Sequence, residues 1–156
     1  DILVNNVGGF LWKPLDETTL GEWEDILRSN LTSAFLCTKA SLPLLRARGG
    51  QIISIASMHA EVLRAVPNTL PYAIAKTGLV LLTKSLAKSE AQHGIRANAV
   101  CPGFVDCGTT QVDPTTIPIG RPAGPAEIAR VVRFLATDEA SYVTGAVINV
   151  HGGALL

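Results

Sequence analysis

Four short apolar segments recur along the 156 residues, each pair separated by enough chain for a helix. They are residues 2–4 (ILV), 51–55 (QIISI), 96–100 (RANAV) and 146–150 (AVINV). Three helical patterns lie between them. The first runs from about Leu20 to Arg48, behind a capping-box signature of Thr19 with Glu22, and is expected to bend near Asn30 or Pro43. The second covers residues 72–93 and is closed by Gly94. The third starts with Pro125 in its first turn and runs to about Thr137. Strands alternating with helices predict an α/β fold, a single domain over residues 1–156 with a largely parallel sheet. In such sheets chemistry lies beyond the C-terminal ends of the strands. Four segments sit there: residues 5–9, 56–58, 101–107 and 151–153.

Composition removes several function classes. Thirteen basic and thirteen acidic residues leave no net charge, and no basic stripe occurs, so nucleic acid is not an expected partner. No apolar run approaches the roughly 18 residues of a membrane span, and no signal-peptide pattern opens the chain. The expected setting is the cytoplasm. Cys37, Cys101 and Cys107 form no CxxC and read as free thiols. His59, His93 and His151 lack metal-ligand spacing, so no metal is expected. At 47% hydrophobic and 17% charged, the chain is apolar enough to suggest strands buried on both faces or helices buried between subunits.

The candidate chemistry starts with Tyr72 and Lys76, one helical turn apart on one face. An ammonium one turn from a phenol favours the phenolate and is expected to lower its pKa, which makes the pair a proton donor and acceptor. The same spacing also fits a tyrosine at a helix start beside a solvated lysine. Ser57 follows the second strand on the same rim, where its hydroxyl could bond a substrate oxygen; it also reads as an ordinary turn serine. Asn30 is a mediocre helix former inside a helical run. It is either an inward polar group holding water near Lys76 or a tolerated asparagine. Gly8, Gly9, Pro102 and Gly103 follow strands, where glycine lets a ligand approach the backbone or simply makes the turn.

Taken in order, NNVG, Asn30, IISIAS, YAIAK, NAVCPG, GRPAGPAEIA and VTGAVINVHGG resemble the short-chain dehydrogenase/reductase family over essentially the whole chain. The resemblance implies a Rossmann-like doubly wound parallel sheet and reversible hydride transfer between NAD or NADP and a ketone or secondary alcohol. It implies that Tyr72 is the general acid/base, Lys76 its partner on the nicotinamide ribose, Ser57 the group polarising the substrate oxygen, and Asn30 the anchor of a relay water. It implies that Asn6 and Gly8 line the cofactor cleft, with Pro102, Gly103 and the backbone of Val105 beside the carboxamide. A homodimer or homotetramer through residues 20–48 and 72–93 follows from the same resemblance. The loop over residues 106–119 carries few charges and fits a modest, mostly uncharged small-molecule substrate.

Departures from the family pattern are local except one. Val7 stands for alanine in NNAG, and His151 for aspartate before Gly152-Gly153. Cys107 stands for a threonine that bonds the carboxamide, a role Thr109 could take over. The larger departure is that no TGxxxGxG turn occurs in these residues. In the family's 3-2-1-4-5-6-7 sheet the opening strand matches the fourth. The sheet is therefore expected to be incomplete, about four strands of seven, with three βα units absent, on the order of 80–90 residues at ~30 per unit. If the chain acts as written, the alternative expectation is a non-catalytic remnant that works through subunit contacts.

Overall fold

A computed structural model of the chain describes residues 1–60, 64–108 and 112–156. One sheet of four parallel strands runs β1 (Ile2–Asn5), β2 (Gln51–Ile55), β3 (Arg96–Pro102) and β4 (Val147–Val150), neighbours in that order. The pairing is in register from Ile2 with Gln51, Gln51 with Arg96, and Ala99 with Val147. Four helices connect and cover it: α1 (Leu20–Leu27), α2 (Ser33–Arg48), α3 (Leu70–Glu90) and α4 (Pro125–Ala136).

The strands form where β-branched residues cluster, and their alternation sorts side chains to two faces. Ile52, Ala97, Ala99 and Cys101 turn toward the α2 and α3 side, where they meet Leu45, Val80 and Ala87. Ile53 and Val100 turn to the opposite side and pack with Ile128 and Leu135. Helices on both faces make this the expected doubly wound, Rossmann-like α/β sheet, incomplete beside the family's seven strands. Strand β1 is an edge: Ile2 and Val4 remain 51% and 44% exposed, because α4 does not reach across to them. Leu135 is fully buried in the α4 layer. Leu135→Ala is expected to cost about 2–5 kcal/mol, read as a lower denaturant midpoint at unchanged slope; a midpoint that does not move would mean this layer adds nothing to stability.

Polar pins hold the layers in place. Arg46 donates two hydrogen bonds to the Glu90 carboxylate, at 2.7 and 2.8 Å, tying α2 to the end of α3. The Ser54 and Thr83 hydroxyls share a 2.8 Å bond between β2 and α3. Asn98 donates to Val143 O at 2.9 Å and accepts from Ala146 N at 3.0 Å, which sets the entry into β4.

The local signals read from sequence locate most ends. Thr19 and Glu22 form the capping box, Gly94 is left-handed at φ 70°, and Pro125 lies in the first turn of α4. Several boundaries differ. Residues 20–48 are not one helix: a five-residue π turn, Arg28–Thr32, separates α1 from α2, while Pro43 sits inside α2. The interruption of the helical run therefore includes Asn30. Helix α3 starts at Leu70, before Tyr72, because Pro71 suits a first turn. It ends at Glu90, and a 3-10 turn carries Ala91–His93. Strand β3 extends to Pro102, which pairs with Val150.

Candidate active site

Ser57 is held by backbone that outlasts its strand. Past Ile55 the ladder to β3 continues, with Ala56 N donating to Val100 O at 2.8 Å and Met58 N donating to Pro102 O at 2.9 Å. Ala60 N then donates to Ser57 O at 2.9 Å and closes the turn. Ser57 is thereby fixed at the sheet rim, 9% exposed.

The first turns of α3 bring Tyr72 and Lys76 to the same rim. Lys76 is 4% exposed; its Nζ donates to Ile55 O at 2.8 Å and lies 5.6 Å from the centre of the Tyr72 ring. Burial pulls the Lys76 pKa down to about 8, with Cys101 acting weakly in the other direction. Burial also pushes the Tyr72 phenol up. A hydrogen bond with the Ser57 hydroxyl works against that rise, and the Cys101 thiol adds to it. The net shift is upward, against the expectation of a lowered phenol pKa. The ammonium is directed at the Ile55 carbonyl, and desolvation of the phenol is the larger effect. Phe10 covers the Tyr72 ring edge-to-face, with centroids 5.1 Å apart.

Asn30 lies in the π turn, 1% exposed. Its Nδ2 donates to Gly9 O at 2.9 Å and Ile26 O at 3.0 Å, and lies 3.2 Å from Ser29 Oγ. Two carbonyl partners identify that end of the side chain as the nitrogen. Its Oδ1 is buried and has no hydrogen-bond partner. The π turn packs against α3, where Gly78 leaves room for Leu31; a Cβ there would sit 3.0 Å from Leu31 Cδ2. At Gly8 a Cβ would sit 2.0 Å from Asn30 Oδ1, so the turn after β1 presses directly on the asparagine.

The other expected residues fall on the same strand-tip rim. Asn6 is exposed and shares a shallow groove with Val4, Val7, Asn30, Ser33 and Cys37. Pro102 is tied to the Ser57 turn through Met58. Gly103 N donates to Val150 O at 2.9 Å, and a Cβ at Gly103 would lie 2.7 Å from His151 Cβ. Val105 forms a parallel bridge with Ala123. Cys107 is exposed, and Thr109 lies outside the described residues. The structure thus brings Ser57, Tyr72 and Lys76 to one part of the rim, joins Asn30 to the Gly8 turn, and lines up Pro102, Gly103 and Val105 along the continuation of β3. Sequence reasoning missed Ser29, Phe10 and Cys101. The adjacent Ser29-Asn30 pair in mid-helix was the available signal for the first; the others depend on contacts between distant segments.

Among the described residues no helix is long and apolar enough to cross a membrane, and no group of three or more His, Cys, Asp or Glu could hold a metal ion.

The family described as Enoyl-(Acyl carrier protein) reductase matches residues 1–154. The 3-oxoacyl-[acyl-carrier-protein] reductase FabG of Aquifex aeolicus is 40% identical over 98% of this chain and 64% of its own length. The enzyme of the same name from Escherichia coli is 39% identical over 98% of this chain and 66% of its own. A crystal structure of a short chain dehydrogenase/reductase family oxidoreductase from Burkholderia thailandensis superposes with a TM-score of 0.90 at 34% identity, covering 99% of this chain and 64% of that one. The chain therefore spans about 65% of the length of such relatives.

Proposed function

The chain belongs to the short-chain dehydrogenase/reductase family, and on that premise we propose that it is the catalytic portion of an oxidoreductase interconverting a carbonyl and an alcohol with NAD or NADP. The observation that carries this reading is the convergence of Ser57, Tyr72 and Lys76 on one point of the rim. The Tyr72 phenol, whose pKa burial only raises further, is protonated at neutral pH, which suits proton donation to a carbonyl oxygen. Ser57, on the same rim as that phenol, holds the same oxygen and polarises it. In the opposite direction Tyr72 accepts the alcohol proton. Lys76, still largely charged at neutral pH, favours the phenolate that results.

A nicotinamide cofactor, when bound, supplies the hydride. The residues present suit one. Asn6 and Gly8 lie on an exposed turn beside the groove, and the buried Asn30 Oδ1 is an unpartnered acceptor against that turn. Lys76 has two N–H groups beyond its bond to Ile55 O, which in this reading reach the ribose. Pro102, Gly103 and Val105 would line the nicotinamide end of the site. Exposed apolar side chains on α2 and α3, among them Leu36, Leu44 and Leu81, support a homodimer or homotetramer through these helices. The cytoplasm is the proposed setting.

Strand β1 bears on the alternative of a non-catalytic remnant. Its open edge and exposed Ile2 and Val4 are aggregation-prone surface. We expect the 156-residue chain by itself to bind NAD(P) weakly and turn over little. The test compares this chain with the full protein its gene encodes, by nucleotide titration and by absorbance of the reduced cofactor. Ketones and 3-oxoacyl thioesters are the first substrates, the latter chosen from the relatives' names. Hydride transfer by the full protein alone is the expected result. Turnover by the isolated chain would overturn the expectation for the fragment, and no turnover of any carbonyl or alcohol by the full protein would sink the enzymatic reading.

A further inference from the structure

We infer that Ser29 is a positioning residue for this site: its hydroxyl locks the Gly8–Gly9 turn to the π turn and so holds Asn30 in place. The inference rests on the reading of Asn30 and Gly8 proposed above. Its geometry is independent of that reading.

A serine hydroxyl has one hydrogen to donate and two lone pairs to accept with. At Ser29 one donor and one acceptor position are used: Oγ accepts from Gly9 N at 3.2 Å and donates to Ile26 O at 3.3 Å, and it lies 3.2 Å from Asn30 Nδ2, whose two hydrogens go to Gly9 O and Ile26 O. These contacts tie the turn after β1 to the last part of α1, with the asparagine packed beside them. Ser33 adds a brace, its hydroxyl donating to Ser29 O at 2.6 Å. A π turn shifts the usual pairing by one residue, and here Ser33 N pairs with Arg28 O. The carbonyl of Ile26 receives side-chain donors from both Ser29 and Asn30. The turn that offers Asn30 inward is therefore stitched by side chains, and Gly9 is held from both ends, its carbonyl by Asn30 and its amide by Ser29.

Removing the hydroxyl would leave the Gly9 N–H without this acceptor and free one of the contacts that orient Asn30. Threonine keeps the hydroxyl at the same atom. In the full-length protein, Ser29→Ala should speed hydrogen exchange of the Gly9 amide about tenfold or more. Exchange at Val100, deep in β3, should not change. The turnover number should fall about tenfold with an altered pH profile, while KM for the carbonyl moves little. Ser29→Thr should restore both readouts. Gly8→Ala, whose Cβ would press on Asn30 from the other side, should reproduce the loss of turnover with Ser29 intact.

Unchanged Gly9 exchange in Ser29→Ala overturns the lock. Faster exchange with unaltered turnover and pH profile overturns the positioning role. If the wild-type protein transfers no hydride at all, the enzymatic reading fails, and the exchange measurement still decides the lock.

Discussion

Tyr72→Phe should lower turnover by about 10²–10⁴-fold, the range associated with a positioned general acid or base. Phenylalanine keeps the ring, and with it the edge-to-face contact of Phe10 and the position of Lys76 over the ring face. Only the hydroxyl is removed. Nucleotide affinity should therefore stay within a few-fold of wild type, and the fold should be unaffected. Steady-state kinetics with a nucleotide titration on the same sample separates the two effects. If the variant keeps wild-type turnover, Tyr72 is not the proton donor. If it loses nucleotide binding as well, its role is structural.

The second large effect is on stability and depends on pH. Lys76 has a folded-state pKa of about 8 against an ordinary 10.5, because burial penalises its charge. Below pH 8 the folded and unfolded chains both carry the proton, so the penalty is full and constant. Above pH 8 the folded chain has released a proton that the unfolded chain still holds up to pH 10.5. Stability therefore rises with pH across that window. Tyr72 acts oppositely above pH 10, since its raised pKa keeps the folded phenol protonated while the unfolded one ionises. The clean window is thus pH 8 to 10, over which the Lys76 contribution amounts to about 2 kcal/mol. Lys76→Met keeps a chain of similar length and removes the titration. Urea unfolding between about pH 7 and about pH 10 should show a smaller rise in stability for the variant than for wild type, by about that amount. Equal slopes would mean that the bond to Ile55 O offsets the desolvation and leaves Lys76 with an ordinary pKa. The same variant should lose turnover, so the charge is kept for function at a cost in stability.

The fold was legible because its signals are local. Residues 51–55 and 96–100 read as buried strands from composition alone, and Thr19, Gly94 and Pro125 mark ends through their own backbone preferences. The π turn was not legible. One extra residue in a helical run barely disturbs an apolar periodicity, and what favours it, the bonds from Asn30 to Gly9 O and Ile26 O, includes a partner 21 residues away. The same division holds at the site. Tyr72 and Lys76 share a helix face by spacing alone, whereas Ser57 reaches them only because β2 keeps pairing with β3 past its last strand residue.

By itself, the sequence determined that strands and helices alternate, where residues such as Thr19, Gly94 and Pro125 mark element ends, and which polar side chains lie at the strand tips. Those properties follow from side-chain shape and spacing within a few residues of chain. Tertiary structure decided which of those side chains meet, how the turn after β1 grips Asn30, and the protonation of the central pair. Burial sets that last property. It raised the Tyr72 pKa where spacing to Lys76 predicted a fall, because desolvation depends on everything packed around the phenol and not on its neighbour one turn away.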